Sequence, residues 1–220
     1  MSEPALYVLN PNASTTVTEG IDRAVEPLRR LGIPIRCTTL QGAPMGIESQ
    51  RDADLVIAPL LAQAAALQDQ ALGFVIACFG DPGLHALRDQ TPVPVLGIQE
   101  CAVLTALTLG QRFGVLSILP ASIPRHMRAF GAMGVLDRCA GDRALGLGVA
   151  ELADQARTLA RLSEVGAQLR DRDGADVLIL GCAGMAEQRR ALAEALQMPV
   201  VEPCQATAAM ALGRIALHSQ

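Results

Sequence analysis

The strongest constraint on this 220-residue chain is that three segments of its first half return, in the same order, about a hundred residues later. Tyr7-Val8-Leu9-Asn10, running on through Pro11-Asn12-Ala13-Ser14, resembles Gly114-Val115-Leu116-Ser117 and its continuation Ile118-Leu119-Pro120-Ala121-Ser122. Both read as a strand feeding a polar turn. Gly73-Phe74-Val75-Ile76-Ala77-Cys78 resembles Asp176-Val177-Leu178-Ile179-Leu180-Gly181-Cys182, an apolar strand ending in small residues and cysteine. Pro94-Val95-Leu96-Gly97 resembles Pro199-Val200-Val201-Glu202, and each leads into an alanine-rich helical stretch. A duplication is the simplest reading, and it divides the chain into two half-size units.

Each unit alternates apolar β-type runs with helix-compatible stretches, the pattern of a parallel α/β fold. Strands are expected at Ala5–Leu9, Ile33–Thr38, Gly73–Ala77 and Val95–Gly97, then at Phe113–Ser117, around Val135–Cys139, at Val177–Leu180 and at Val200–Val201. Helices are expected at Ser14–Leu31, Gln50–Leu72, Leu84–Gln90, Cys101–Leu109, Glu151–Arg172, Met185–Leu196 and Cys204–His218, where apolar positions recur three and four apart. The expected lobes are residues 1–97 with 205–220, and residues 98–204. Packed about a pseudo-twofold axis, they face one cleft, and ligands of open α/β sheets bind beyond the carboxyl ends of the strands.

Composition narrows the partners. A net charge of −4 and 2% aromatic residues argue against nucleic acid, which needs basic grooves and stacking rings. The longest apolar stretch, Leu55 to Leu67, is interrupted by Pro59 and Gln63 and falls short of the roughly 20 residues a bilayer requires, so no membrane span is expected. All 18 basic residues are arginine. Without lysine there is neither a Schiff base for pyridoxal phosphate nor a P-loop cation. No Cys-x-x-Cys or His-x-x-x-His spacing points to a metal, and Gly146-Leu147-Gly148 lacks the third glycine of a dinucleotide fingerprint and reads as a loop. The expectation is a small-molecule substrate with no cofactor. The N-terminus lacks the basic and apolar regions of a signal peptide, so the expected compartment is a reducing cytoplasm with mostly free thiols.

Cys78 and Cys182 end equivalent strands, so the repeat aims two thiols into one cleft from opposite sides. Inverting a stereocentre without a cofactor needs a base on one face and an acid on the other. A thiol has a reference pKa near 8.5, tunable by helix termini, and suits both roles. Asp81 and Pro82 read as the N-cap and first residue of a helix after Cys78, and the small residues Ala183-Gly184 after Cys182 let backbone N–H groups approach a ligand oxygen. Two thiols separated by a substrate are too far apart for a disulfide, which requires Cα atoms within about 7 Å. Cys37, Cys101, Cys139 and Cys204 lie in apolar contexts and read as core residues. His85 reads as solvent-facing, and His126 as either lining the cleft or covering a helix surface.

The segments Asn10-Pro11-Asn12-Ala13-Ser14, Ala77-Cys78-Phe79-Gly80-Asp81-Pro82-Gly83-Leu84 and Leu180-Gly181-Cys182-Ala183-Gly184-Met185 resemble the three signatures of the hydantoin racemase family, within the aspartate/glutamate racemase superfamily. The resemblance covers nearly the whole chain. It implies two flavodoxin-like domains with four-stranded parallel sheets and the active site between them, and a cofactor-independent racemase of five-substituted hydantoins or allantoin. It further implies Cys78 and Cys182 as the acid/base pair, with Asn10, Phe79, Gly80, Ser117, Ile118, Ala183 and Gly184 around the substrate. Ser117-Ile118 stands where the family usually has two threonines, and Glu202-Pro203 where an Asp-Gly pair is common. Related enolate chemistries stay open: malonate decarboxylation, cis–trans isomerisation of a diacid, or aspartate/glutamate racemisation. An exposed alanine-rich helix suggests a homo-oligomer.

Overall fold

The computed structural model describes residues 3–218, and within them the apolar runs form two parallel four-stranded sheets of identical topology. Strands β1 (Ala5–Asn10), β2 (Ile35–Thr39), β3 (Ala71–Ile76) and β4 (Val95–Gly97) assemble in the order β2-β1-β3-β4. Strands β5 (Phe113–Ser117), β6 (Cys139–Ala144), β7 (Val177–Leu180) and β8 (Val200–Val201) repeat it as β6-β5-β7-β8. In register, Val8 lies between Cys37 and Val75, and Val115 between Asp142 and Ile179. The expected α/β class and the doubling are both present.

The helices are α1 (Thr15–Val25), α2 (Gln50–Leu55), α3 (Ile57–Leu67), α4 (Leu84–Gln90), α5 (Ile98–Leu109), α6 (Ile123–Ala132), α7 (Gln155–Asp171), α8 (Arg189–Leu196) and α9 (Pro203–His218). Among the described residues, no helix is long and apolar enough to cross a membrane.

Because side chains alternate across a strand, each sheet feeds two apolar layers. Leu6, Val8 and Val75 of the first sheet and Phe113, Val115, Val177 and Ile179 of the second belong to one continuous core, shared with Ala102 and Ala106 of α5 and Ala208 and Leu212 of α9. The opposite faces carry separate layers. Tyr7, Leu9, Phe74 and Ile76 lie in one, and Leu116, Leu178 and Leu180 in the other. The two helices are exchanged between the sheets: α5 leaves β4 but packs on β5, β7 and β8, whereas α9 leaves β8 but packs on β1, β3 and β4. Alanines at the contact let α5 and α9 approach closely and bind the two sheets into one body.

Several element ends differ from the sequence expectation by a few residues, helix α6 is not among the expected helices, and three differences have a physical reason in the structure. The sixth strand runs over Cys139–Ala144 rather than Val135–Cys139; Leu136–Arg138 forms a 3-10 turn after α6. The single stretch Gln50–Leu72 divides into α2 and α3 at Val56 and ends at β3, which begins at Ala71. Asp81 does not cap the helix beside it. That helix starts at Leu84, preceded by Gly83 in the left-handed region, while the Asp81 carboxylate accepts the backbone N–H groups of Gln99 and Glu100, 2.9 Å each, at the start of α5. A Cβ on Gly97 would stand 2.2 Å from the Asp81 carboxyl carbon, so the absence of a side chain at position 97 makes room for this cap.

Candidate active site

Cys78 and Cys182 both line a single cleft between the sheets, beyond the carboxyl ends of β3 and β7. Each follows its strand by two residues, so the repeat in sequence becomes a repeat in position. Both thiols are free and half-buried.

Burial sets the acidity of both sulfurs. It pushes the Cys182 thiol up to about 11, opposed by the N–H of Gly184, which donates to Sγ at 3.4 Å. Cys182 caps the 3-10 turn Ala183–Gln188, and this amide is a free donor of its first residues. A Cβ on Gly184 would lie 3.0 Å from the buried Leu152 side chain, which would have to shift to admit it. Cys78 is raised further still, first by burial and then by the charge of Cys182 and of Asp81, with Arg125 pulling the other way. Burial thus holds both as thiols at neutral pH.

The remaining expected residues separate into two groups. Phe79, Ile118, Ala183 and Gly184 line the cleft, and Gly80 lines the adjoining cavity beyond Cys78. Asn10 and Ser117 occupy equivalent strand ends but are fully buried. The Asn10 amide donates to Asn12 Oδ1 at 3.0 Å and to Thr18 Oγ1 at 3.0 Å, and Asn12 Oδ1 accepts from Ser14 N–H at 2.9 Å. Asn10 therefore shapes the turn that presents Asn12 to the cleft. The Ser117 hydroxyl donates to Asp142 and lies 3.1 Å from His126 Nδ1, which is itself 2.7 Å from Asp142 Oδ2. His126 and the Asp142 side chain are each 1% exposed, so the imidazole neither lines the cleft nor covers a surface. Its ring packs edge-on against Phe79 at 4.9 Å and holds that residue from the opposite lobe. Glu202 is buried as well, its carboxylate accepting from Cys204 N–H at 3.0 Å and Gln205 N–H at 2.6 Å as the cap of α9.

Among the cleft residues that sequence reasoning missed are Val17, Ile47, Ser122, Arg125 and Val149. Ile47 lies on the long connection between β2 and α2, which reaches across to the second lobe, where Glu48 accepts from the Val149 N–H at 2.8 Å. Arg125, on the first turn of α6, borders both the cleft and the cavity beyond Cys78. Beyond Cys182 a second side cavity is mostly apolar, with Val17, Met45, Leu152 and Ala186 among its walls.

Comparison with known proteins places this arrangement. Residues 6–211 match the family described as Asp/Glu/Hydantoin racemase. A hydantoin racemase of Pseudomonas sp. (strain NS671) is 34% identical over 199 residues, 90% of this chain and 80% of that one. A hydantoin racemase of Paenarthrobacter aurescens is 32% identical over 98% of this chain and 92% of its own. The solved structure of allantoin racemase from Klebsiella pneumoniae superposes with a TM-score of 0.94 at 30% identity, covering 98% of this chain and 89% of that one. The chain belongs to the Asp/Glu/hydantoin racemase family, and it is a racemase.

Proposed function

We propose that this protein inverts the stereocentre of five-substituted hydantoins, a class that includes allantoin, with Cys78 and Cys182 as paired acid and base. The observation that carries this reading is the pair of free, half-buried thiols, one from each half of the repeat, lining one cleft. One thiolate removes the ring proton at C5, forming an S–H bond as the C–H bond breaks. The electron pair passes into the adjacent ring carbonyl as an enolate. The opposite thiol then delivers its proton to the other face and becomes the thiolate. The proton count is unchanged and the two sulfurs have exchanged roles, so the same site runs both directions. Backbone N–H groups around Ala183-Gly184, at the start of a helical turn, are suited to the developing oxyanion.

The test is proton exchange in deuterium oxide. The wild type should exchange the C5 proton of both enantiomers of a hydantoin and interconvert them. Cys78→Ser and Cys182→Ser should each abolish inversion, while a single surviving thiol can still exchange one enantiomer. Full inversion by either variant would remove the two-base assignment.

A further inference from the structure

We propose that Arg125 binds an anionic substituent of the substrate, so that the preferred rings carry a carboxylate on the C5 side chain; this rests on the racemisation proposed above. The guanidinium belongs to α6 of the second lobe and borders the cleft that holds both sulfurs, together with the cavity beyond Cys78. Its Nη1 is buried and has no hydrogen-bond partner, and Nη2 reaches only Ser122 Oγ at 3.5 Å. A buried charged donor without an acceptor carries an uncompensated desolvation cost, which a ligand anion would relieve.

The carboxylates near this arginine are committed to other partners. Asp81 caps α5 through Gln99 and Glu100. Asp54 accepts from the Gln50 amide at 2.8 Å. Asp52, within electrostatic reach of Arg125, accepts from the backbone of Glu48 and Ser49. Arg128, the other cation on this cavity, donates to Gln50 Oε1 at 2.6 Å. Arg125 is therefore the cation of this wall that keeps a buried N–H group without an acceptor. A planar guanidinium with an open edge matches a carboxylate in two parallel hydrogen bonds. With the ring between the sulfurs, a short side chain directed past Cys78 would bring its carboxylate to this edge. The cavity beyond Cys182 also carries a guanidinium, Arg23, but that group is paired with Glu187.

The matched probes are 5-(carboxymethyl)hydantoin and its neutral near-isostere 5-(carbamoylmethyl)hydantoin. The wild type should favour the carboxylate in kcat/KM by about ten- to a hundredfold, the range for a hydrogen bond to a charged group. Arg125→Gln should collapse that ratio to near one, chiefly by raising KM for the carboxylate. Arg125→Lys, which keeps the charge but not the fork, should restore part of it. Circular dichroism and thermal melting of both variants check that the fold is intact, and partial rescue by lysine excludes a merely structural role. Equal kcat/KM for the two probes in the wild type would overturn the assignment. So would an equal loss on both probes in Arg125→Gln, which would place the guanidinium on the ring itself. If the wild type exchanged the C5 proton of neither probe in deuterium oxide, the racemisation reading would fail and this proposal with it; exchange of the neutral probe without a carboxylate preference sinks the arginine proposal alone.

Discussion

The acidity of Cys182 gives the sharpest test of how the cleft is built. Its thiol is pushed up to about 11 by burial, against the Gly184 N–H. Only the thiolate is alkylated. At pH 7 such a group is ionised to about one part in ten thousand, and at pH 9 to about one part in a hundred. Iodoacetamide modification of Cys182 should therefore accelerate roughly tenfold per pH unit, about a hundredfold from pH 7 to 9, with no sign of levelling. An ordinary cysteine with a pKa near 8.5 gains only about 25-fold over the same interval and begins to flatten. Peptide mapping by mass spectrometry separates the sites, and Cys78, raised further, should lag behind Cys182 at every pH. The sign follows from burial, since desolvation disfavours the charged form of a thiol and raises its pKa. A plateau before pH 9, or faster modification of Cys78, would refute this account of the site's electrostatics.

Two further perturbations address the scaffold. Gly97→Ala drives a methyl group into the Asp81 carboxylate and displaces it from two backbone donors, which should cost about 2–4 kcal/mol by urea denaturation. In an Asp81→Ala background the same substitution should cost under about 1 kcal/mol, because the clash has gone; an unchanged cost would show that the carboxylate is not what position 97 accommodates. Asp142→Ala leaves the buried Ser117 hydroxyl and His126 ring without their acceptor and should destabilise the protein by about 2–4 kcal/mol. A loss within about 0.5 kcal/mol would mean that Ser117 and His126 satisfy each other.

What could be read from sequence follows the range of the interaction that decides each feature. Strands β1, β3, β5 and β7 are flanked on both sides within their sheets and bury both faces, so they read as near-continuous apolar runs. The edge strand β6, Cys-Ala-Gly-Asp-Arg-Ala, pairs only with β5 and is half-buried throughout, and the more apolar Val135-Leu136 just before it places the expectation four to five residues upstream. The break at Val56 was hidden because Pro59 falls in the first turn of α3, where proline's missing N–H has no intrahelical partner to lose, and the apolar spacing continues through it.

The same distinction runs through the cleft. Cys78, Cys182 and the turns after them sit at the carboxyl ends of β3 and β7, so local pattern placed them. Asn10 and Ser117 have the same strand-end address, yet their side chains turn inward to Asn12 and Thr18 and to Asp142 and His126, choices settled by residues 2 to 25 positions away. Asp81 looked like a local cap and instead serves a helix 18 residues on, because Gly97 leaves its carboxylate a place at the start of α5. Arg125, Ile47 and Val149 meet only after α5 and α9 have locked the sheets together, so no spacing in the chain announces them. A duplicated α/β chain thus writes its two cleft cysteines into the repeat, while other walls of the cleft come from segments on which the two halves differ: Ile47 from the long connection after β2, Arg125 from α6 and Val149 from the turn after β6. Exchanging such segments between relatives should alter which ring is accepted while leaving the two sulfurs in place.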